Sequence, residues 1–416
     1  MTETMTGTRK PRVAAIVTEY RPRSHAENLV NKLLEGYYLF WTPVRPRLEV
    51  VSLYTDQVPA NDVSREVAAR HNLPIYPTIR EALTCGGESL AVDGVVLVGE
   101  HGDYPLNEKG QKAYPRRRFF EETVAVFRES GRVVPVFNDK HLAFNWDDAK
   151  WMYDTARELG IPFMAGSSMP IAFRCPPGTV PLGAEIEEIV AVAHGPLESY
   201  GYHVLEVAQS LAERRRGYET GVHSVQCLSG EAFWDAWESG GAWSRELQEA
   251  AIAAVPHPPE PPRAFYDSRR ATTRQNVRPP KGTLPAQPYI GAEAAFLVEY
   301  VDGLRVTVLM LAGYAQQWGA AVRMRGQQPS GAAGAQGAGQ DILAYSFIQD
   351  RSEFHSNFSH LTYFVEEHIL SRKSPYPVER TLLASGLIDA AMTSHYEDGR
   401  RIDTPYLNIQ YAPPDA

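Results

Sequence analysis

The sequence predicts an α/β protein with an N-terminal Rossmann-like parallel sheet domain and a C-terminal α+β domain with a large open, mainly antiparallel sheet. Short β-branched runs alternate with amphipathic helical segments as far as residue 170, which is typical of parallel strands joined by helical crossovers. Longer two-sided strands follow, and 416 residues exceed what one hydrophobic core usually serves. We therefore expect a disordered N-terminus (1–10), a Rossmann-like domain (11–170) and a substrate and oligomerisation domain (171–416).

The first domain is predicted to alternate strands with helices. Apolar, β-branched runs predict strands over residues 13–17, 48–54, 92–99, 133–137 and 163–165. Amphipathic segments predict helices over residues 26–36, 62–71, 119–130 and 147–159. Parallel strands need crossover connections, so these helices should cover both faces of the sheet.

The second domain is predicted to be richer in antiparallel strands. Strands are predicted over residues 185–194, 217–229, 292–311, 341–348 and 406–411. The pair Asp302-Gly303 interrupts the third of these runs and is typical of a hairpin turn. Helices are predicted over residues 359–371 and 378–394. A proline-rich segment (256–288) and a Gly/Ala/Gln-rich segment (327–340) are predicted to be mobile loops.

Composition favours a soluble, cytoplasmic enzyme that acts on a small molecule. Hydrophobic residues make up 44% and charged residues 22%, and no apolar run reaches the roughly 18 residues that a membrane helix needs. The polar N-terminal residues carry no signal-peptide core, and three widely spaced cysteines favour a reducing compartment over a disulfide framework. The net charge of −9 comes without a basic face, which argues against a nucleic-acid partner.

Acidic, basic and histidine side chains follow three of the predicted parallel strands. Ligands bind at the carboxyl ends of such strands, so these side chains should line one cleft. They are Glu19, Arg21, Arg23 and His25 after the first strand, Glu100, His101 and Asp103 after the third, and Asp139, Lys140 and His141 after the fourth. A basic cluster over residues 116–118 could bind a carboxylate or phosphate of the substrate.

Several segments resemble the Gfo/Idh/MocA family of sugar and cyclitol oxidoreductases. Residues 23–26 (RSHA) resemble the family's Arg-x-His-Ala element, which opens the first helix, and residues 93–96 (DGVV) resemble its Asp-Ala-Val-Val strand entry. Residues 139–142 (DKHL), followed by a helix and residues 160–166 (GIPFMAG), resemble the Glu-Lys-Pro motif and its surroundings. Residues 201–206 (GYHVLE) resemble the Gly-x-His-x-x-Asp stretch of the substrate domain.

The resemblance implies the family's fold and an NAD(P)-linked oxidoreductase of a small polyhydroxylated, sugar- or cyclitol-like substrate, assembled as a homo-oligomer (dimer or tetramer). It implies that Lys140 and His203 orient the reacting hydroxyl and pass its proton, and Asp139 and His141, beside the lysine, are predicted to be catalytic as well. Hydride loss from a carbinol carbon needs a base for the hydroxyl proton, and a desolvated lysine or a neutral histidine can serve near neutral pH. The alternatives are a lysine that is solvated or paired with Asp139, and a histidine that only packs against the sheet.

The turn after the first strand departs from the family. A glycine-rich turn lets the backbone approach a pyrophosphate, but Glu19, Arg21, Pro22 and Arg23 fill this turn, and Glu19 would repel a phosphate. NAD(P) is therefore not expected in the usual pose. An alternative pose held by side chains would use Arg21, Arg23, His25, Asp56, Glu100 and His101 as the cofactor-binding residues. Ser199 also replaces the family's aspartate four residues before the histidine.

Two other functions remain open from the sequence. Glu19, Glu100, His101, Asp139 and His141 offer mixed oxygen and nitrogen ligands that suit Mn²⁺ or Zn²⁺. The protein would then be a non-redox lyase, isomerase or hydrolase that uses a metal or acid–base pairs. The competing interpretation of these acids is that they pair with Arg21, Arg23 and Lys140. The remaining function is that of a ligand sensor that kept the fold without catalysis.

Overall fold

The computed structural model describes residues 9–269, 293–325, 341–352 and 354–414. Residues 1–8 of the predicted tail, residues 270–288 of the predicted proline-rich loop and the whole predicted loop over 327–340 lie outside these ranges. Within the described ranges, every helix is too short or too polar to cross a lipid bilayer.

The first sheet has five parallel strands in the order β4-β1-β5-β6-β7, the arrangement expected of a Rossmann-like domain. These strands and the hairpin β2–β3 that interrupts them are β1 (Arg12–Val17), β2 (Tyr37–Leu39), β3 (Thr42–Val44), β4 (Glu49–Thr55), β5 (Gly94–Val98), β6 (Val136–Asp139) and β7 (Phe163–Gly166). A parallel bridge between Leu53 and Ile75 continues the pairing beyond β4. Every residue of β5 is buried, because both faces of the sheet are covered.

Five helices alternate with these strands. They are α1 (His25–Glu35), α2 (Ser64–His71), α3 (Ile79–Thr84), α4 (Arg116–Ser130) and α5 (Trp146–Glu158). The predicted strands and helices are confirmed in type and order, with three differences. The hairpin β2–β3 lies in a segment for which no strand is predicted. Strand β6 begins and ends later than predicted, so Asp139 is its last residue and not a loop residue. Helix α3 is absent from the predicted elements, since six residues are too few for a helical period to show.

The second sheet has eight strands in the order β15-β10-β11-β12-β9-β13-β14-β8. They are β8 (Arg174–Cys175), β9 (Ile186–Ala193), β10 (Val222–Ser229), β11 (Ala294–Tyr300), β12 (Arg305–Met310), β13 (Trp318–Met324), β14 (Ile342–Phe347) and β15 (Ile402–Asp403). Neighbours pair antiparallel except β12 and β9, which are parallel. The predicted hairpin turn at Asp302-Gly303 is confirmed, with Gly303 at a φ of +89°. The predicted strand over 406–411 is wrong: a 3₁₀ turn (Pro405–Leu407) occupies its start.

The helices of the second half pack on both faces of the second sheet and on the first sheet. They are α6 (Leu197–Ala212), α7 (Glu231–Ser239), α8 (Arg245–Ala253), α9 (Pro262–Arg269), α10 (Ser356–Ser371) and α11 (Val378–Tyr396). Helices α6 and α11 share one core with the sheet, and α7 and α8 share another on its opposite face. Helix α9 lies within the segment predicted as a proline-rich loop, so that prediction is wrong for residues 262–269.

The last two long helices tie the two sheets together at the edge where β6 and β7 end. Leu361 and Val365 of α10 pack in the same core as β1, although α10 follows the second sheet in the chain. From α11, Ser385 Oγ accepts from Leu142 N (3.0 Å), and Thr381 Oγ1 lies 2.8 Å from Ala165 O. Helices α6 and α11 are therefore held against the ends of β6 and β7. The domain boundary at residue 170 stays a prediction.

Candidate active site

The polar side chains that follow β1, β5 and β6 meet at one edge of the first sheet. Thr18 Oγ1, just after β1, donates to Glu100 O after β5 (2.7 Å). His25 Nδ1 lies 2.6 Å from Asp139 Oδ2 at the end of β6. His25 N also donates to His101 Nδ1 (3.4 Å). The three strand ends thus form one continuous polar cluster. Its acids Glu19, Glu100 and Asp139 are buried.

Glu100 is the centre of a buried charge cluster. Its carboxylate accepts from Lys140 Nζ (3.0 Å) on one oxygen and from Arg116 Nη2 on the other. Glu100, Lys140 and Arg116 are 5%, 1% and 0% exposed. Burial alone would raise the pKa of Glu100, but Lys140 and Arg116 hold it well below the usual value of a glutamate. The cluster therefore contains a carboxylate between two cations.

Local backbone features bring these two cations to Glu100. Lys140 has a φ of +65°, and its N–H donates to Gly166 O (3.0 Å), which turns the chain as it leaves β6. Its Nζ then reaches Glu100 and Ser199 O (3.1 Å). Arg116 comes from the start of α4 and passes beside Gly99, where a Cβ would lie 2.5 Å from Arg116 Cγ. Glycine at position 99 therefore makes room for the guanidinium.

His141 is a neutral histidine beside this cluster. It is fully buried, and its Nε2 accepts from Arg116 Nη1 (3.1 Å) and lies 3.0 Å from Glu198 Oε1. Burial, with Arg116 as the second cause, lowers the pKa of His141 to about 4. An imidazole held neutral by an arginine is a weak base, which argues against the proton-transfer role predicted for His141.

His203, on α6, presents a hydrogen-bond donor to the cleft. Its Nδ1 lies 2.5 Å from Ser167 Oγ, and Ser167 Oγ already accepts from Met169 N (2.9 Å). The serine hydroxyl has one proton to donate, so we assign that proton to the contact with Nδ1 and the imidazole proton to Nε2. Burial, with Lys140 as the second cause, lowers the pKa of His203 well below that of a free histidine. His203 is therefore a neutral imidazole that donates through Nε2.

Glu206 lies one turn after His203 and is buried. Its contacts are those of a protonated carboxyl group. Its Oε2 accepts from Ser167 N (2.6 Å), and its Oε1 lies 2.8 Å from Thr381 Oγ1. Thr381 has one proton and also lies 2.8 Å from the carbonyl oxygen of Ala165, which only accepts. Both contacts are hydrogen bonds when Oε1 carries a proton. Burial raises the pKa of Glu206 to about 7.

We expect Glu206→Gln to stabilise the protein, and increasingly so as the pH rises. Between pH about 4.5 and about 7, folded Glu206 keeps a proton that the unfolded chain has lost, so wild-type stability falls with rising pH. A glutamine amide donates to Thr381 as the protonated acid does, and it has no charge to bury. The gain should reach about 2–3 kcal/mol at pH 8 and shrink towards pH 5, measured by urea unfolding. The exposed Glu249→Gln is the control; a Glu206→Gln difference that does not change with pH would contradict the assignment.

An aromatic layer adjoins His203 on the side of the second sheet. Tyr200 and Trp318 stack with ring centroids 5.5 Å apart, and His194 contacts both rings at 5.1 and 4.5 Å. Trp318 lies 5.8 Å from the His203 ring. His194 Nε2 and Trp318 Nε1 are buried without a hydrogen-bond partner. The sequence predictions missed His194, although it comes directly after β9, where the strand-end rule could have found it. Unpartnered ring N–H groups beside a flat aromatic face suit a polyhydroxylated ligand.

The turn that would hold a pyrophosphate is closed by its own side chains. Ser24 caps α1, and its Oγ accepts from Glu27 N (3.1 Å). Glu27 in turn accepts from Arg23 N, and His25 N is bonded to His101. Glu19 is buried and paired with Arg21. The N–H groups of Arg23, His25 and Glu27 at this helix N-terminus are therefore engaged, and two carboxylates lie beside them.

Asp56, one of the predicted cofactor-binding residues, is engaged as well. Asp56 Oδ1 accepts from Tyr54 OH (2.6 Å) and Arg118 Nη2 (2.5 Å), and its Oδ2 accepts from Tyr104 OH (2.6 Å). These hydrogen bonds lower the pKa of Asp56 despite its burial. The residues present thus do not fit a dinucleotide in the pose that a glycine-rich turn supports. Of the other predicted cofactor ligands, Arg21, His25, Glu100 and His101 have the protein partners described above, whereas the Arg23 residue is exposed.

The predicted Mn²⁺ or Zn²⁺ site is not supported. Among the residues that the structure describes, no three His, Cys, Asp or Glu side chains are grouped to hold a metal ion. The proposed ligands are paired within the protein: Glu19 with Arg21, Glu100 with Lys140 and Arg116, Asp139 with His25, and His141 with Arg116. Guanidinium and ammonium groups among these ligands would repel a divalent cation. The competing interpretation, in which these acids pair with cations, fits the geometry for Glu19 and Glu100.

This architecture is the α/β fold of the dehydrogenases in the Gfo/Idh/MocA family. A scan against protein-family models finds no match, and a search of curated proteins finds none either. Solved structures, in contrast, match almost the whole chain. Myo-inositol 2-dehydrogenase from Lactobacillus plantarum has a TM-score of 0.55 and 11% sequence identity, with 97% of this chain and 100% of that chain covered.

Two similar structures contain bound molecules. GenD2 from gentamicin A biosynthesis, solved in complex with NAD, has a TM-score of 0.54 and 13% identity, with 95% of this chain and 97% of that one covered. Myo-inositol dehydrogenase from Lactobacillus casei, solved with NAD(H) and myo-inositol, has a TM-score of 0.53 and 13% identity, with 97% and 98% covered. At such identities the likeness establishes a shared fold, and the fold implied by the sequence resemblance is confirmed.

Proposed function

We propose that this chain is an oxidoreductase that acts on a hydroxyl group of a small polyhydroxylated, sugar- or cyclitol-like molecule. The observation that carries the proposal is the pair of N–H donors from Lys140 and His203 at the joined ends of β6 and α6. The fold supports it, because similar structures are titled inositol dehydrogenases and one was solved with NAD(H) and myo-inositol. A homo-oligomer, dimer or tetramer, stays a prediction.

The two donors can bind and polarise one substrate oxygen. Lys140 Nζ donates two of its three protons to Glu100 and Ser199 O, so the third is available to the cleft. His203 offers Nε2–H, since its Nδ1 is held by Ser167. Donors aimed at an oxygen on which negative charge develops stabilise an alkoxide, and low local dielectric strengthens their effect. The neighbouring Tyr200 and Trp318 rings would pack against the carbon skeleton of the substrate.

An oxidoreductase of this kind also needs a hydride acceptor, and a nicotinamide dinucleotide would accept a hydride from the carbinol carbon. The closed turn after β1 does not fit one in the usual pose, so binding must rely on side chains. We expect titration with NADH and NADPH to change the nicotinamide fluorescence saturably. The exposed Arg23 is expected to contact a phosphate of the dinucleotide. Arg23→Ala should therefore weaken dinucleotide binding about tenfold.

The control for this titration is Arg45→Ala, another exposed arginine, which lies at the hairpin β2–β3. It should leave the affinity for either dinucleotide unchanged. Absence of any saturable change at millimolar NADH and NADPH would overturn the redox proposal.

The closed turn favours a second candidate, a non-redox enzyme that moves protons on the same class of substrate. The observation behind it is the self-capped start of α1, which takes the place of a phosphate site. Its test is incubation with sugars, cyclitols and sugar acids in D₂O without dinucleotide. Deuterium at carbon, or an isomerised or dehydrated product seen by NMR, would favour it over the oxidoreductase.

A further inference from the structure

We infer that His25 and Asp139 form an acid–base pair whose free imidazole nitrogen, His25 Nε2, accepts the proton of the reacting hydroxyl. Only the identity of that hydroxyl rests on the proposed function. The pairing itself is read from the geometry at the ends of β1 and β6. His25 is the first residue of α1, and Asp139 is the last residue of β6.

The histidine is held in one orientation by three contacts. His25 Nδ1 lies 2.6 Å from Asp139 Oδ2. Its ring contacts the edge or face of His101 (centroids 5.1 Å apart) and of Phe358 (4.9 Å). A carboxylate only accepts hydrogen bonds, so Nδ1 carries a proton, and in the neutral imidazole Nε2 then keeps its lone pair. This is the orientation that a paired carboxylate gives to a general base.

The surroundings of Asp139 favour a positively charged imidazole on His25. Its side chain is 1% exposed, and its second oxygen, Oδ1, is buried without a hydrogen-bond partner. A buried carboxylate with a single polar partner gains most when that partner becomes charged. The His25 side chain, in contrast, is 17% exposed, so the imidazole is not sealed from solvent as Asp139 is.

The His25–Asp139 pair supplies a proton acceptor, which the neighbouring lysine and histidines do not. Lys140 and His203 both act as donors, so neither accepts a proton in the state that the structure describes. His141 accepts from Arg116, and His101 has its pKa lowered to about 3 by burial, with His25 as the second cause. The titratable groups that interact with His25 are Asp139 from β6, Glu100 and His101 beyond β5, and His203 from α6, while α10 contributes the uncharged Phe358.

The proton transfer from the substrate hydroxyl to His25 needs no further reactant. The O–H bond of the substrate breaks, an N–H bond forms at His25 Nε2, and the electron pair stays on the oxygen as an alkoxide. Lys140 and His203 then stabilise the alkoxide through their N–H groups, while Asp139 stabilises the imidazolium. The proton returns to solvent or product from the partly exposed side of His25.

The first experiment is ¹⁵N NMR of full-length protein labelled at histidine, with the His25 signals assigned by their loss in His25→Gln. We expect neutral His25 to be protonated at Nδ1 and bare at Nε2, and neutral His203 to show the opposite tautomer. A His25 proton on Nε2 would overturn the proposal, and this result does not depend on knowing the substrate.

The second experiment measures turnover of a polyol that the wild-type protein oxidises. His25→Ala should lower kcat by about 10²–10³-fold, and free imidazole in the buffer should restore at least a tenth of it, because the space between His101, Phe358 and Asp139 accepts a ring. Rescue by imidazole distinguishes a base from a residue that only packs.

The matched control is His71→Ala. His71 also lies within 3.0 Å of a carboxylate, Glu35, but at the far end of α2, and its loss should leave kcat unchanged. A His25→Ala protein with wild-type kcat would overturn the proposal. Failure of the wild-type protein to oxidise any polyol would overturn the proposed function, while the NMR tautomer still decides the His25–Asp139 pair.

Discussion

Replacing Glu100 by glutamine is expected to lower the free energy of unfolding by about 3–5 kcal/mol. Lys140 and Arg116 are almost fully buried, and Glu100 is the carboxylate between them. Glutamine keeps the shape of the side chain but removes its charge, which leaves two buried cations without a counter-charge. Removal of one partner from a buried ion pair costs far more than the pair itself contributes. Urea unfolding followed by circular dichroism at pH 7 measures the loss.

The dependence of this loss on pH has a definite sign. The folded pKa of Glu100 lies below its unfolded value, so its stabilisation is present above the ordinary pKa of a glutamate and disappears as the pH falls through the folded value. The difference between wild type and Glu100→Gln should therefore narrow on acidification. The control is Glu66→Gln, which removes an exposed ion pair with Arg70 and should cost at most about 0.5 kcal/mol. Equal losses for the two variants would show that the cluster does not stabilise the fold.

Much of the first sheet could be predicted because its signals are local. Strands β1 and β5 are continuous apolar runs, and α1 ends at Gly36. Local composition and a terminating glycine are therefore enough to predict these elements. The second sheet depends on pairing between distant segments. The parallel contact between β12 and β9 joins residues more than a hundred positions apart, and no local pattern encodes it. Strand β13 (WGAAVRM) was missed because small residues hide its alternation.

The candidate site could be predicted in outline only. The strand-end rule correctly brought Glu100, Lys140 and Asp139 to one edge, because parallel strands end on the same side. It could not assign partners, since Arg116 arrives from a helix start and Ser199 O from the second half of the chain. Counting acids and histidines without the cations beside them produced the metal prediction. A metal site and an ion-pair cluster have the same residue types in sequence and differ only in geometry.

The turn after β1 carries a helix-cap pattern in its sequence. Ser24 and Glu27 have the spacing of a helix cap, in which the serine accepts from the backbone and the glutamate reaches back. Such a cap uses the N–H groups that a pyrophosphate requires, so it excludes a phosphate more directly than the missing glycines do. The missing glycines leave less space for a pyrophosphate near the backbone, whereas the cap engages the N–H groups of Arg23 and Glu27 that could bind it.

Lys140→Met is expected to lower kcat/KM by about 10³-fold while leaving the protein folded. Methionine fills much of the volume of the lysine but cannot donate to a substrate oxygen. Glu100 keeps its contact with Arg116 in this variant, so the carboxylate stays paired and the fold loses less than in Glu100→Gln. The measurement is steady-state turnover of a polyol identified with wild-type protein, together with the thermal unfolding midpoint. An unchanged kcat/KM would remove Lys140 from the proposed mechanism.

Binding measured on the same variant separates an enzyme from a ligand sensor. If Lys140 acts mainly on the alkoxide that forms during the reaction, Lys140→Met should bind the polyol within about a hundredfold of wild type, since one hydrogen bond from a charged donor contributes about 1.5–3 kcal/mol. The control is Lys150→Met, a partly exposed lysine paired with Asp154 on α5, which should change neither binding nor turnover. A sensor would instead bind ligand without turnover in the wild-type protein. For such a protein, Lys140→Met would alter affinity alone, because there is no transition state for the lysine to stabilise.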